Sequence, residues 1–548
     1  MSLLQPKIKN GSSLKFRILL KGLGLFVFLT FSVGPGRDTH GTAGAQESPA
    51  QRERRGKQIY VQGTAPSGKE TLAYLGESSI EVPGSAMPCA NCHGLDGQGK
   101  PEGGVTPTNI TWEALTKPYG VSHANGRQHP PYTERGLELA ITRGTDPAGN
   151  KLLNVMPRYA MTAEDLGDLI AYLRLLGKYR DPGITENKIV VGTVIPAKGA
   201  LVDMGQAVKA VTTAFFAELN SQGGVYNRQF EVKYAETAET PSGTQTNVER
   251  FIKEQEVFAL TGAFIAGSEK EIIPLLAQQE VPLIGPLTLY PQIDFPLNRQ
   301  VFYLLSGVDC QIQAMIHFAA KKPELRTQHF AIVFPKAEIN LRVVEAVKEQ
   351  SKKDGVSEPQ AYDYALGHFN VADTVKQLRY SNSQVVVFLG GTEDALLFMI
   401  EADKLRWYPN VLLASTSSGK EIFSAPAGFD GKLFFSFPTS PGDQSTDGLK
   451  QFQALAEKYK LPTHHLAAQI SAYCAAKILA EALKRAGKDV SREKLIQTLE
   501  GFYEYRTGLT PAITYGPNRR VGALGAYVVS VDLKEKQFVP ASGWINLN

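Results

Sequence analysis

The sequence lacks a strong excess of charge of either sign. Its 548 residues carry 58 lysines and arginines against 54 aspartates and glutamates, a formal net charge of +4. No basic patch interleaved with aromatic residues occurs outside the N-terminus, which argues against a nucleic-acid partner. The signatures of serine hydrolases, nucleotide-binding P-loops and zinc proteases are also missing, so no motif indicates an enzyme. The 43% hydrophobic and 20% charged content is typical of a globular protein.

After the N-terminus no segment of the sequence is judged long and apolar enough to span a bilayer, so we predict no membrane span there. The N-terminus has five basic residues between Lys7 and Lys21, an apolar run from Gly22 to Val33, and the small residues Ala43-Gly44-Ala45. This layout is typical of a secretory signal. We therefore predict a signal peptide over residues 1–45 and export to the periplasm. An uncleaved membrane anchor is the alternative, although the apolar run is short for a spanning helix.

The chain is too long for one ordinary core, and two or three domains are expected. Its composition changes near Asp181-Pro182-Gly183. Before this point the chain is rich in glycine and proline, whereas after it β-branched strands alternate with amphipathic helices. We predict an N-terminal domain over residues 46–180, a linker over residues 181–187 and a C-terminal domain over residues 188–548.

Cysteine is scarce, and two of the four cysteines lie in Cys89-Ala90-Asn91-Cys92-His93. This motif predicts the covalent attachment of a c-type haem, because each thiol can add to one vinyl group while the adjacent histidine ligates iron. A zinc or thiol-redox site would need further ligands or a thioredoxin-like unit, and neither is visible. Cys310 and Cys474 either pair in the exported protein or stay as buried thiols.

Two helices frame this motif. Residues 55–60 predict a short helix, and apolar residues at helical spacing predict another over residues 162–176. We expect the two helices to cross at Gly56, which permits close approach, with Tyr60 and Tyr172 beside the crossing.

The second axial ligand of the haem iron is predicted to be Met156. It precedes Pro157 on a loop that leads into the last helix, a suitable position for a thioether donor. Met161 is the rival, but it falls where the helix begins, so packing or capping is expected there. Ligation by His123 and His129 is a further alternative.

Residues from about 53 to 178 resemble the class I monohaem cytochromes c. The resemblance is carried by the Gly56/Tyr60 helix, the Cys89–His93 motif, Gly94, Gly97, Met156-Pro157 and the Leu/Tyr-rich last helix. It implies an all-α domain with one covalent haem c on Cys89 and Cys92. It also implies His93 as proximal and Met156 as distal ligand, a saturated iron that favours electron transfer.

Two segments are longer than is usual in this family, Thr64–Pro88 and Thr111–Pro131. We expect them to cover the haem edge or to dock the second domain. The second segment holds His123 and His129, so these histidines are expected in an inserted loop.

The C-terminal domain alternates strands and helices. Near-continuous apolar strands of this kind indicate parallel sheets covered on both faces, and their number indicates two lobes. Such strands are visible at residues 189–195, 230–235, 258–264, 282–286, 330–334, 385–389 and 411–414.

This domain resembles the type I periplasmic binding proteins, particularly the leucine/isoleucine/valine-binding receptors of ABC importers. The resemblance is carried by Pro196 and Gly199 after the opening strand, by residues 220–228, by Gly262-Ala263-Phe264 and by residues 282–286. It implies two α/β lobes that hinge around a small organic molecule held at the carboxyl ends of the strands.

The resemblance also implies which residues line the pocket. These are Met204, Ala266, Gly267, Ser268, Leu287, Thr288, Leu289, Thr392 and Thr416. In amino-acid receptors, hydroxyl and backbone N–H groups hold the carboxylate of the ligand. Helix capping or turn formation is the alternative role for Ser268, Thr288 and Thr416.

In amino-acid receptors an acidic residue holds the ammonium group of the ligand. Here the position expected to be acidic is Thr416, although the nearby Glu393 or Asp394 could substitute. Leu287 and Leu289 replace smaller residues. An ordinary amino acid is therefore not favoured over a carboxylate, an amide or an alcohol-derived metabolite.

Together these features predict a periplasmic c-type cytochrome that transfers electrons and binds an amino-acid-, amide- or carboxylate-like solute, without enzymatic activity of its own. We expect it to relay electrons in a ligand-linked redox system, with a periplasmic dehydrogenase or another cytochrome as partner. One alternative is an ABC-transporter receptor for a branched-chain amino acid-like ligand, with a permease as partner and the cytochrome as accessory. Another is a subunit of a periplasmic dehydrogenase.

Overall fold

The computed structural model describes residues 49–547, except residues 100, 102–104, 124–125 and 179. The predicted signal peptide over residues 1–45 lies outside the described residues. The N-terminal domain contains helices α1 (Pro49–Gln62), α2 (Cys89–His93), α3 (Trp112–Leu115), α4 (Glu134–Arg143) and α5 (Ala163–Leu173). Its strands are β1 (Leu72–Leu75), β2 (Ile80–Pro83), β3 (Val121–Ser122), β4 (Gln128–His129) and β5 (Arg158–Ala160).

Helices α1 and α5 cross as predicted. At Gly56 there is no space for a side chain, because an added Cβ would lie 1.9 Å from the carbonyl oxygen of Asp168. The rings of Tyr60 and Tyr172 lie beside the crossing, with centroids 5.4 Å apart. The buried Asp168 carboxylate pairs with Arg52 at 3.1 Å and also with Arg55, which ties the two helices together electrostatically.

The prediction of an all-α first domain is wrong, because this domain contains the three-stranded sheet β2-β1-β5 and the two-stranded sheet β3-β4. Strands β1 and β2 form a hairpin inside the long Thr64–Pro88 segment, and β5 adds to β1 on its other side. Gly76, with φ of 67°, begins the turn of this hairpin. The strand β5 immediately follows Met156-Pro157, so the sheet connects the segment before the haem motif to the loop of the predicted distal ligand.

The C-terminal domain begins with one α/β lobe, as predicted. Its elements are β6 (Lys188–Ile195), α6 (Val202–Ser221), β7 (Gln229–Glu236), α7 (Pro241–Glu254), β8 (Ala259–Thr261), α8 (Glu269–Gln279), β9 (Leu283–Ile284) and β10 (Val301–Leu305). The second lobe follows with α9 (Val308–Lys321), α10 (Pro323–Arg326), β11 (His329–Pro335), α11 (Glu338–Asp354), β12 (Gln360–Tyr364), α12 (Val371–Tyr380), β13 (Ser383–Phe388), α13 (Thr392–Lys404), β14 (Asn410–Ala414) and β15 (Leu433–Phe437).

The chain then returns to the first lobe and ends in the second. The returning elements are α14 (Thr446–Tyr459), α15 (Leu466–Ala486), α16 (Arg492–Glu500) and β16 (Val521–Ala523), and the last are β17 (Gly525–Asp532), β18 (Gln537–Pro540) and β19 (Ile545–Asn546). The first sheet has the order β16-β10-β9-β8-β6-β7, and the second β12-β11-β13-β14-β15-β17-β18, with β19 beside β17. Neighbouring strands are parallel throughout the first sheet and from β12 to β15 in the second.

Helix α15 departs from the expectation that no segment after the N-terminus is long and apolar enough to cross a membrane. Among the described residues it is the one helix that meets both conditions. Most of it is buried, and Tyr473, Cys474 and Leu479 belong to the core of the first lobe. Its apolar character is therefore explained by packing against α6 and the first sheet.

Residues 181–187 connect the domains and lie against β6. The Val190 N–H donates to the carbonyl of Gly183 at 2.7 Å, and the Thr185 N–H donates to that of Lys188 at 2.9 Å. The Asp181 side chain is buried. The position of the first domain on the second is thus set by specific contacts at this segment.

Candidate functional site

The haem-attachment motif forms its own short helix. Helix α2 starts after Pro88 and ends at Gly94, whose φ of 74° is a conformation that favours glycine. The Tyr60 hydroxyl donates to the Gly94 carbonyl at 2.7 Å, which fixes the end of α2 against α1. Cys89 and Cys92 are three residues apart on this helix and therefore lie on one face.

His93 is oriented by a contact with Thr108. Its Nδ1 lies 3.0 Å from the carbonyl oxygen of Thr108, so Nδ1 carries the proton and Nε2 is left as a ligand atom. Burial lowers the pKa of His93, which favours the neutral imidazole that binds metals.

The chemistry of the thiols fits haem attachment better than the rival readings. Neither Cys89 nor Cys92 forms a disulfide. Burial raises the pKa of Cys89 to about 12, which disfavours the reactive thiolate that a thiol-redox site uses. Throughout the described parts of the chain, no group of three or more histidine, cysteine, aspartate or glutamate residues could hold a metal ion. Two cysteines beside a histidine on one short helix match the residues that hold haem c.

Met156 lies in a turn that is held by its backbone. Its N–H donates to the Leu153 carbonyl at 3.1 Å, and its own carbonyl accepts from the Arg158 guanidinium. The rival Met161 packs against the core of the first domain, as does Met87. Packing therefore accounts for these two methionines, and Met156 stays the predicted distal ligand.

The two candidate histidines contact each other. The Nε2 atoms of His123 and His129 are 3.0 Å apart, and Arg127 lies 2.9 Å from His123 Nε2. His129 Nδ1 lies 2.8 Å from the carbonyl of Pro130. Because the ring nitrogens have these partners, the geometry argues against bis-histidine ligation of a haem.

The residues predicted to line the solute pocket follow strands of the two sheets. Residues 266–268 lie between β8 and α8, and residues 287–289 follow β9. Met204 is in the first turn of α6, Thr392 opens α13, and Thr416 is in a 3-10 turn after β14. These are the positions past the carboxyl ends of parallel strands at which α/β proteins bind ligands.

Contacts between the lobes lie close in the chain to the first-lobe residues of this set. Lys270 of the first lobe forms an ion pair with Glu338 of the second. Arg342, also on α11, donates to Gln292 at 2.9 Å and lies 3.4 Å from the Asp294 carboxylate in the first lobe. The lobes are therefore in contact across one side of the cleft.

Several predicted pocket groups have partners within the protein. The Gly267 N–H donates to one carboxylate oxygen of Glu269 at 2.8 Å, and the Thr288 hydroxyl donates to the other. Asp394, considered as a substitute acid, accepts from the Tyr364 hydroxyl at 2.8 Å within its own lobe. Ser268 precedes α8 but makes no side-chain capping bond, so a capping role is not seen there.

Sequence reasoning missed three polar residues at the cleft. Glu269 opens α8, and Asp309 lies in the first turn of α9 with its pKa raised by burial. Gln311 is buried and accepts from the Ser415 hydroxyl at 3.0 Å. An acidic residue just after a predicted strand and loop was the one signal that could have indicated Glu269.

Comparison with known families follows the division seen in the structure. The model of the family described as periplasmic binding protein matches residues 188–537, well over half of the chain. The chain belongs to the periplasmic binding protein family. A cytochrome c family model matches residues 85–177, so this periplasmic binding protein carries a cytochrome c domain, which implies haem c.

Named relatives and solved structures agree with this. The Leu/Ile/Val-binding protein BraC3 of Rhizobium johnstonii is 20% identical over 328 residues, 60% of this chain and 87% of the relative. A branched chain amino acid ABC transporter structure from Thermus thermophilus, with bound valine, has a TM-score of 0.54 at 17% identity, covering 66% of this chain and 97% of the other. A fatty acid ABC transporter substrate-binding protein from Thermomonospora curvata has the same TM-score at 16% identity, covering 68% and 95%. The structural likeness supports the fold of the binding-protein domain.

A buried ion-pair network joins the cytochrome c domain to the binding-protein domain. Lys57 of α1 lies with its Nζ 3.3 Å from Asp181 and 3.2 Å from Glu280, the residue that ends α8. The second oxygen of Asp181 accepts from the Arg492 N–H at 2.6 Å. Beside this network, a cavity of about 540 Å³ lies between α1 and the region of α8 and residues 292–300.

Helix α8 connects the two functional regions. Its first two residues, Glu269 and Lys270, lie at the cleft, and Glu280 at its other end contacts Lys57 of the cytochrome domain. At 1.5 Å per residue its 11 residues span about 16 Å. One helix, which contains Pro274 in its interior, therefore has contacts with both the solute cleft and the haem-binding domain.

Proposed function

We propose that this protein is a periplasmic electron carrier whose cleft binds a small organic solute, and that solute binding adjusts the cytochrome domain. The observation that supports the proposal is helix α8, which contacts the cleft at one end and Lys57 at the other. The proposal includes export from the cytoplasm and no catalysis by the protein itself.

In this proposal one haem c would be held covalently by Cys89 and Cys92, and His93 and Met156 would ligate its iron. Bound haem supplies one-electron chemistry, and a His/Met-ligated iron has no open position for substrate. The Thr108 carbonyl fixes the His93 ring, and Tyr60 fixes the helix that bears the thiols. These contacts hold the site in one geometry, as rapid electron exchange with a dehydrogenase or another cytochrome requires.

Solute binding is expected to change how the two lobes meet. Type I binding proteins close by rotation about their hinge, and such closure moves one lobe against the other. Here the Lys270–Glu338 pair joins α8 to the second lobe. A change in this contact alters the forces on α8 and, through Glu280, on Lys57.

The electron-carrier function is tested by a redox titration of the purified holoprotein, together with exposure of its ferrous form to carbon monoxide. We expect a reversible one-electron transition and no carbon monoxide adduct. Formation of a stoichiometric adduct at neutral pH would show an open iron position and would contradict the proposal.

A second candidate is a receptor that delivers the solute to an ABC permease, with the cytochrome as an accessory. The relatives favour it, since BraC3 is a Leu/Ile/Val-binding protein. Solute uptake by a deletion strain separates the two functions. Loss of uptake supports the receptor, whereas normal uptake together with impaired electron transfer supports the electron carrier.

A further inference from the structure

The Glu269 carboxylate occupies the hydrogen-bond donors of the first lobe at the cleft. It is only 9% exposed, and its two oxygens accept from the Gly267 N–H at 2.8 Å and from the Thr288 hydroxyl. Within the part of the chain that the structure describes, no lysine, arginine or histidine forms an ion pair with it. The cleft thus contains an internal carboxylate whose charge is not neutralised by a cation.

This arrangement disfavours a carboxylate ligand. The loop N–H groups and the N-terminus of α8 would otherwise attract an anion. With Glu269 on these donors, an incoming carboxylate must displace it or lie beside a like charge of low exposure, which is costly. Glu269 can accept further hydrogen bonds, because a carboxylate offers about four lone-pair sites.

A second carboxyl group, Asp309, lies near the same tyrosine as Glu269, and burial raises its pKa. Tyr290 lies near both Glu269 and Asp309, whose charges raise its pKa in addition to burial. The cation close to Asp309 is Arg342, and it also lies 3.4 Å from the Asp294 carboxylate. Asp309 therefore shares its neighbouring guanidinium with the Asp294 carboxylate.

We infer that the cleft takes an organic molecule with a protonated amine as its head group, and that Glu269 is the residue that selects it against free carboxylates. The inference rests on the proposed solute-binding function and narrows it, because it removes carboxylates and zwitterions from the expected ligands. Leu287 and Leu289 at the same edge suit an apolar tail on the amine.

Calorimetric titration of the full-length holoprotein with four probes of related skeleton tests the inference. The probes are 3-methylbutylamine, 3-methylbutanol, 4-methylpentanoate and leucine. We expect the amine to bind at least about tenfold more tightly than 4-methylpentanoate and leucine, since a charged hydrogen bond contributes about 1.5–3 kcal/mol and 1.4 kcal/mol is tenfold. The alcohol can donate a hydrogen bond but carries no charge, so it shows how much of the affinity comes from charge. We expect it to bind more weakly than the amine.

Two variants and a control assign the selection to Glu269. Glu269→Gln removes the charge at nearly equal volume and should weaken amine binding by about tenfold or more. Glu269→Ala frees the Gly267 and Thr288 donors and should raise the affinity for 4-methylpentanoate. Glu271→Gln, in the same turn of α8, should bind all probes as the wild type does.

Other outcomes overturn the inference. Wild-type binding of leucine or 4-methylpentanoate as tight as that of the amine refutes it, and so does amine binding that survives Glu269→Gln in a folded protein. Binding of no probe by the wild type and by Glu269→Ala also refutes it. The electron-carrier function would survive all of these results, because the redox titration and the carbon monoxide assay measure it independently.

Discussion

Replacement of Lys57 by methionine measures how much the contact between the domains contributes to stability. Lys57 is 7% exposed, and its ammonium group neutralises Asp181, which is 2% exposed. Methionine keeps an apolar stem but leaves the Asp181 carboxylate buried with the Arg492 N–H and no cation at this position. Removal of one partner from a buried ion pair costs about 3–5 kcal/mol.

The lower end of this range is expected for two structural reasons. The Glu280 side chain is 30% exposed, so water compensates for most of its lost ion pair. Separation of the domains also returns Asp181 to water, so the loss cannot exceed the free energy of docking. We therefore expect a loss of about 3 kcal/mol in the free energy of unfolding of the docked cytochrome domain.

The assay is guanidinium unfolding of the holoprotein, followed by haem absorbance and by far-ultraviolet circular dichroism. Two probes are needed because a multidomain chain need not unfold in one step. Lys69→Met, at an exposed lysine of the same domain, is the matched control. The double variant Lys57→Met/Asp181→Asn should recover part of the loss, because asparagine still accepts from the Arg492 N–H without a buried charge.

Stability of Lys57→Met within about 0.5 kcal/mol of the wild type would refute this reasoning, since that is the usual range for surface substitutions. It would mean that the network does not hold the domains together. The proposed connection through α8 would then lose its structural basis.

Two further predictions concern the cytochrome domain. Met156→Ala should abolish the charge-transfer absorption of His/Met-ligated haem while the covalent haem stays bound, and Met161→Ala should leave that absorption unchanged; the opposite pattern would assign the distal ligand to Met161. Gly56→Ala should lower the free energy of unfolding by about 1–3 kcal/mol, because its methyl group would meet the Asp168 carbonyl. Gly167→Ala in the facing helix meets only a flexible arginine nitrogen at 3.0 Å and should be neutral or stabilising by up to about 1 kcal/mol. Denaturant midpoints compare these two variants, and equal losses in both would contradict the helix-crossing argument.

The haem motif was predictable because its chemistry is local. Cys89, Cys92 and His93 lie within one turn and a half of helix, so their spacing alone predicts one shared face. The strand periodicity of the C-terminal half likewise predicts two α/β lobes, because each buried parallel strand is a continuous apolar run. The helix crossing was predictable for the same reason, because Gly56 is a small residue on a helix face and Tyr60 lies one turn away on the same helix.

The β-sheet of the first domain was not predictable from local pattern. Strand β1 pairs with β5, and Ala73 is opposite Tyr159 across 86 positions of the chain. No periodicity in either short segment specifies that partner, since strand pairing depends on which segments the fold brings together.

The prediction of haem attachment, the helix crossing at Gly56 and the family of each domain could be read from the chain, because neighbouring residues encode them. The contact of Glu269 with Thr288, 19 residues away, and that of Lys57 with Glu280, 223 residues away, could be seen only in the folded chain. Both contacts depend on where separate elements come together in space. The physical reason is that the electrostatic behaviour of a charged side chain depends on its partners and its burial, and neither can be read from the linear sequence.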